Sequence, residues 1–88
     1  MISKHRKPTH PGKILAQEFL RPLGMSQVDL ASKMGVPIQR VNGLINGKRG
    51  MSAETGVLLA RVLKTTPEFW MNLQTSVDLF AASQKLAA

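Results

Sequence analysis

At 88 residues the chain is long enough for one domain with a single modest core. Its hydrophobic share of 43% is that of a globular protein, and the absence of cysteine excludes disulfides and thiolate metal sites. Twelve Lys/Arg against five Asp/Glu leave a net charge of +7, a surplus that points to a polyanionic partner.

No apolar run approaches the roughly 18 residues of a membrane span. The opening MISKHRKPTHPGK is basic but lacks the apolar stretch of a signal peptide, so a cytoplasmic chain is expected. The cations are scattered between segments rather than lined along one helix face, which argues against a membrane-surface role.

Residues 1–9 read as a loose basic arm carrying Lys4, His5, Arg6 and Lys7, and a compact domain is expected over residues 10–83. A first helix is predicted from Pro11 to about Leu20. Proline suits a first helical position, where its missing N–H costs nothing, and Ile14, Leu15 and Phe19 form an inner stripe. Arg21-Pro22-Leu23-Gly24 is expected to stop it, because proline disfavours helix at the preceding residue. The second helix starts after Ser26, with Asp29 three residues on as a capping-box-like partner. Leu30, Ala31 and Met34 face inward, and Gly35 suits the left-handed residue beyond the helix end.

The third helix starts at Pro37 or Ile38 and runs to Asn46, with Val41, Leu44 and Ile45 buried. The basic loop Lys48-Arg49-Gly50 follows. Ser52 caps the fourth helix, whose first turn holds Glu54 where the helix dipole favours an acid. Val57, Leu58, Ala60, Val62 and Leu63 are expected to supply its core, and Gly56 is explained by close helix packing. Thr66-Pro67-Glu68 is a compact start for the fifth helix. That helix is expected to run to about Ser83, leaving residues 84–88 as a frayed tail. The whole pattern is all-α, with no competing strand.

The stretch from Ser26 to Asn46 has the shape of a helix-turn-helix. With Gln27 as position one, position five is Ala31, where the two helices approach too closely for a larger side chain. Position nine is Gly35, where the turn needs positive φ. Positions four, ten, fifteen and eighteen are the apolar Leu30, Val36, Val41 and Leu44. Opposite the buried side of helix three lie Gln39, Asn42, Gly43 and Asn46, with Arg40 and Ile38 on the flanks. Gln and Asn pair bidentately with adenine, Arg with guanine, and an aliphatic side chain can meet a thymine methyl. Ile38, Gln39, Arg40 and Asn42 are therefore the expected base contacts. Ser26 and Gln27 at a helix N-terminus, with Lys33, Lys48 and Arg49, are the expected phosphate contacts; Lys4, Arg6 and Lys7 of the arm are further candidates.

Several motifs together carry a family resemblance. They are His10-Pro11-Gly12, the run Pro22-Leu23-Gly24-Met25-Ser26-Gln27, Leu30-Ala31 and Gly35-Val36. Gln39-Arg40-Val41-Asn42 and Leu44-Ile45-Asn46-Gly47-Lys48-Arg49 follow, then Thr66-Pro67-Glu68-Phe69-Trp70-Met71-Asn72-Leu73-Gln74. The chain resembles short HigA-type antitoxins of the Cro/CI-like (XRE) helix-turn-helix family, and the Pro-Glu-Phe-Trp-x-Asn-Leu-Gln segment is the part most particular to that subgroup. The resemblance implies a five-helix, lambda-repressor-like domain that dimerises on double-stranded operator DNA, represses its own operon and neutralises a HigB-like ribosome-dependent ribonuclease toxin. Three residues depart from the pattern. Pro37 stands where Ser or Thr is usual, Ile38 is unusually apolar, and Gly43 replaces a larger polar residue.

Phe69, Trp70, Leu73, Val77 and Phe80 form an apolar ridge on helix five that is more than helices one and four can cover, so a homodimer through this ridge is expected. Two recognition helices would then sit about 34 Å apart on a palindromic operator. Trp70 stands apart, because a lone tryptophan in an apolar ridge is most often a core residue. No enzyme, metal site or cofactor is expected. His5 and His10 are not paired on a helix face, and the five acids form no carboxylate pair. The run from Gly43 to Arg49 misses phosphate-loop spacing by one residue and lacks the Ser/Thr. The alternative within binding proteins is a free-standing regulator with no toxin partner; a pure protein-interaction module ranks third. RNA binding is disfavoured by the lack of an exposed aromatic platform.

Overall fold

The computed structural model describes residues 7–87; the arm residues Lys4, His5 and Arg6 lie outside them. Five helical stretches follow in order: α1 over residues 11–23, α2 Gln27–Met34, α3 Ile38–Ile45, α4 Ala53–Leu63 and α5 Pro67–Leu86, with no strand among the described residues. Among these residues no helix is long and apolar enough to cross a membrane.

The first helix differs from expectation. It is α-helical over Pro11–Ile14, widens into a π-helical segment over Leu15–Leu20, and closes with a turn over Arg21–Leu23. The wide turn explains why Pro22 does not stop it. A proline ring normally clashes with the carbonyl four residues back, and i→i+5 bonding moves that carbonyl away. The helix ends instead at Gly24, at φ 63°, where Met25 N–H bonds the Leu20 carbonyl at 2.9 Å. The inner stripe changes with the winding. Leu15 and Leu20 are buried, five residues apart, while Ile14 and Phe19 are only partly covered. In an α-helix, residues five apart diverge; one wide turn returns them to the same face.

The remaining helices start on side-chain caps where the sequence offers one. Ser26 Oγ accepts the Asp29 N–H, Ser52 Oγ the Thr55 N–H, and Thr66 Oγ1 the Phe69 N–H. Pro37 is the N-cap of α3 and provides no such bond. Helix α4 ends on Lys64 in the left-handed region, at φ 58°, where glycine is usual.

The core is built from Leu15, Leu30, Val41, Leu44, Leu59 and Trp70, all essentially inaccessible, with Leu20, Met34 and Met51 around them. In α4 the buried residues are Thr55, Gly56, Leu59 and Ala60, whereas Val57 is exposed and Leu58, Val62 and Leu63 are partly buried. So many adjacent apolar residues obscure the helical period, which is why Leu59 is not evident from the pattern. Gly56 faces Met71 and Trp70, but an added Cβ would lie 3.6 Å from the nearest atoms, an ordinary contact. The packing is close without requiring glycine.

Trp70 is completely buried at the centre, its indole N–H donating to Thr65 Oγ1 at 2.8 Å. Its ring packs against Phe19 and Phe69 with centroids 5.1 and 4.9 Å apart, so the aromatic cluster joins α1 to α5. Beyond this point α5 continues to Leu86, past the expected end at Ser83.

Candidate nucleic-acid interface

Helices α2 and α3 are locked together by the turn at Gly35. Gly35 sits at φ 72°, and its N–H and that of Val36 return to the Ser32 and Ala31 carbonyls at 3.1 and 3.0 Å. Leu30, Ala31 and Met34 of α2 and Val41 and Leu44 of α3 are buried in one core. Ala31, only 4% exposed, fills the close approach at position five. With that side committed inward, the 100° step per residue places Gln39, Gly43 and Asn46 at the centre of the outward side of α3.

Gln39 is exposed, and Asn42 is partly exposed on the flank of the same side. Ile38 is different: it is partly buried and packs against the core. This accounts for its apolar character and leaves little of it for a thymine methyl. Arg40 is 30% exposed, with its guanidinium 3.6 Å from the Glu54 carboxylate at the start of α4. That pair bridges the recognition helix and the next helix, but at a wet surface it adds little to stability.

At the start of α2 the Ser26 hydroxyl accepts the Asp29 N–H at 3.0 Å, while the N–H groups of Gln27 and Val28 have no carbonyl a turn earlier to bond. These donors, with the helix dipole, suit an anion. Lys33 is exposed but lies in the last turn of α2, about 9 Å along the axis from Gln27. The structure therefore does not group it with Ser26 and Gln27. Lys48 and Arg49 are exposed in the loop after α3. Their N–H groups both bond the Gly43 carbonyl, at 2.8 and 3.2 Å, folding the loop back on the helix. Lys7 is exposed beside helix α1, and a shallow depression there is lined by Lys7, Thr9, His10 and Lys13.

Three positioning residues lie outside the expected set. Gly12 packs directly on the recognition helix, and a Cβ there would overlap the Leu44 carbonyl. His10 caps the helix that carries it, accepting the Gly12 N–H on Nδ1 at 2.9 Å. Gln74 of α5 accepts the Met51 N–H at 2.6 Å and donates to Asp78 at 2.9 Å, tying the loop after α3 to α5. The His10-Pro11-Gly12 and Leu73-Gln74 motifs carry these residues, but nothing in their spacing reveals the contacts.

The expected dimer ridge divides in two. Trp70 has no accessible surface to offer a second copy and belongs to the core. Phe69 is 38% exposed, and Leu73, Val77 and Phe80 are partly exposed. Among the groups of three or more acidic or His residues that could hold a metal, none occurs in the described residues.

A family model described as helix-turn-helix matches residues 17–70, which includes all of α2, α3 and α4. An uncharacterized HTH-type transcriptional regulator of Haemophilus influenzae is 45% identical over 75 residues, covering 85% of this chain and 70% of that one. Antitoxin HigA-1 of Vibrio cholerae is 44% identical over 80 residues, covering 91% of this chain and 75% of its own length. The structure of antitoxin GraA superposes with a TM-score of 0.87 at 44% identity, covering 91% of this chain and 86% of that one. Antitoxin GraA in complex with its operator gives 0.84 at 42% identity, covering 96% and 85%. The fold, the turn geometry and these likenesses converge: the chain belongs to the helix-turn-helix family that includes the HigA-type antitoxins.

Proposed function

We propose that this chain is an operator-binding antitoxin that acts in the cytoplasm as a homodimer, represses its own operon from a palindromic site and neutralises a HigB-like ribonuclease toxin. Its role is binding rather than catalysis. One observation carries the DNA half of the reading. A core-locked recognition helix turns Gln39 and Asn42 outward, on a backbone that superposes on an antitoxin in complex with its operator. Gln39, Arg40 and Asn42 are the base readers in this proposal. Ser26, Gln27 and Lys48 hold the phosphates, with Lys33 and Lys7 as outlying cations. Val77, Phe80 and Leu73 form the two-fold contact, with Phe69 at its edge.

The toxin half rests on the likeness to antitoxins HigA-1 and GraA. A free-standing regulator is the second reading, favoured by the likeness to a relative described as a transcriptional regulator. Co-expression with the product of the adjacent gene separates them. The antitoxin reading predicts that the neighbour arrests growth alone, and that this chain relieves the arrest and co-purifies with it. A harmless neighbour that does not bind leaves the free-standing regulator.

A further inference from the structure

Gly43 occupies the centre of the outward side of α3, four residues and one turn after Gln39, yet offers no side chain there. It is nevertheless partly buried, and the three atoms nearest to the place of its missing Cβ, outside its own helix backbone and chain neighbours, all belong to the Arg49 side chain. A Cβ on Gly43 would lie 3.4 Å from Arg49 Cγ and Nε and 3.5 Å from Cδ. Gly47, at φ 73°, turns the chain back, and the Gly43 carbonyl receives the Lys48 and Arg49 N–H groups at 2.8 and 3.2 Å. Both the backbone and the side-chain stem of Arg49 are thus held against this one residue.

We propose that Arg49 takes the reading position that Gly43 vacates, lying against the outward side of the recognition helix at Gly43 and presenting its guanidinium to a guanine edge in the major groove. This rests on the operator reading above and changes the role of Arg49 from a phosphate contact to a base contact. Arginine is suited to it, since its planar fork matches the N7 and O6 acceptors of guanine bidentately. Gly43 is the positioning residue. A long polar side chain there would fill the space of the Arg49 stem and push the guanidinium off the helix. The departure at position 43 and the placement of Arg49 are then one feature: the side chain missing at 43 is supplied from six residues further along the chain.

The test is a panel of operator duplexes, each with one base pair exchanged, titrated with the wild-type chain, Arg49→Lys, Gly43→Gln and the double variant. Thermal melts confirm that each protein is folded. Lysine keeps the charge but not the fork, so a phosphate role survives Arg49→Lys and guanine reading does not. The wild-type chain should discriminate about tenfold or more at one G·C pair per half-site. Arg49→Lys and Gly43→Gln should each flatten discrimination at that same pair, and the double variant should lose no more than either alone. Uniform weakening across the panel by Arg49→Lys, or full discrimination retained by Gly43→Gln, overturns the proposal while leaving operator binding intact. No preference of the wild-type chain for the operator over scrambled DNA overturns the operator reading and this proposal with it.

Discussion

Two glycines show how little of a residue's role its type reveals. Gly12 and Gly56 both lie at helix contacts, yet they have opposite expected responses. At Gly12 an added methyl meets the Leu44 main chain, which cannot move without shifting the recognition helix. Gly12→Ala should cost about 2 kcal/mol as an overpacking substitution and weaken operator binding beyond the loss of folded protein. A melt and a titration at a temperature where the variant is folded check both; unaltered stability would mean that the two helices separate freely. At Gly56 the same methyl finds ordinary contacts with Met71 and Trp70. Gly56→Ala should therefore stabilise by up to about 1 kcal/mol through helix propensity, readable as a higher denaturant midpoint. A lower midpoint would show that the α4–α5 contact is tighter than its geometry indicates.

Among the elements, α5 bears most on assembly. Its N-terminal half is anchored by Trp70 and by the Gln74 bond to the loop, while residues 81–86 at its C-terminal end are all exposed. The stripe that buries Trp70 continues through Leu73, Val77 and Phe80, but the last two are not among the residues packed against the core. An apolar stripe that outlasts its own cover suits a second copy of itself. Phe80→Glu should leave the melting temperature of the protomer nearly unchanged, convert a dimer to a monomer at high micromolar concentration in sedimentation, and weaken operator binding. A sedimentation profile identical to that of the unaltered protein would place the dimer contact elsewhere. Helices α2 and α3 were legible in the sequence because a helix-turn-helix imposes fixed residue types at Ala31, Gly35 and Val41. Helix α1 was legible in its start at Pro11 and its buried Leu15, but its end and the rest of its buried stripe were not, because a π turn leaves no signature in composition: Pro22 and the Leu15–Leu20 spacing acquire their meaning only once the winding is known. The core place of Trp70 was open to the sequence, as the usual position of a lone tryptophan in such a ridge, but the point at which the ridge leaves the core was not, since a helical wheel places a residue on a face and does not say where along the axis the cover ends.

For the whole molecule, charge and shape act together. Of the net charge of +7, Lys4 and Arg6 lie outside the described residues; the rest of the surplus is carried by a body whose extents are 44 × 24 × 19 Å. If about six phosphates are neutralised per dimer, the logarithm of the binding constant should fall with the logarithm of salt concentration with a slope near −5. A slope shallower than about −3 would contradict the electrostatic part of the account. Salt dependence alone does not establish reading, because any basic surface shows it. The central claim is that the outward side of α3 recognises a sequence. The most direct measurement is therefore the affinity of the chain for the DNA upstream of its own gene, relative to scrambled DNA of equal length at one salt concentration, repeated with Gln39→Ala/Asn42→Ala. The account predicts a preference of about a thousandfold or more for the upstream DNA, collapsing in the double variant while its affinity for scrambled DNA stays the same. Equal affinity for the two DNAs, or a preference that survives the double variant, would contradict it.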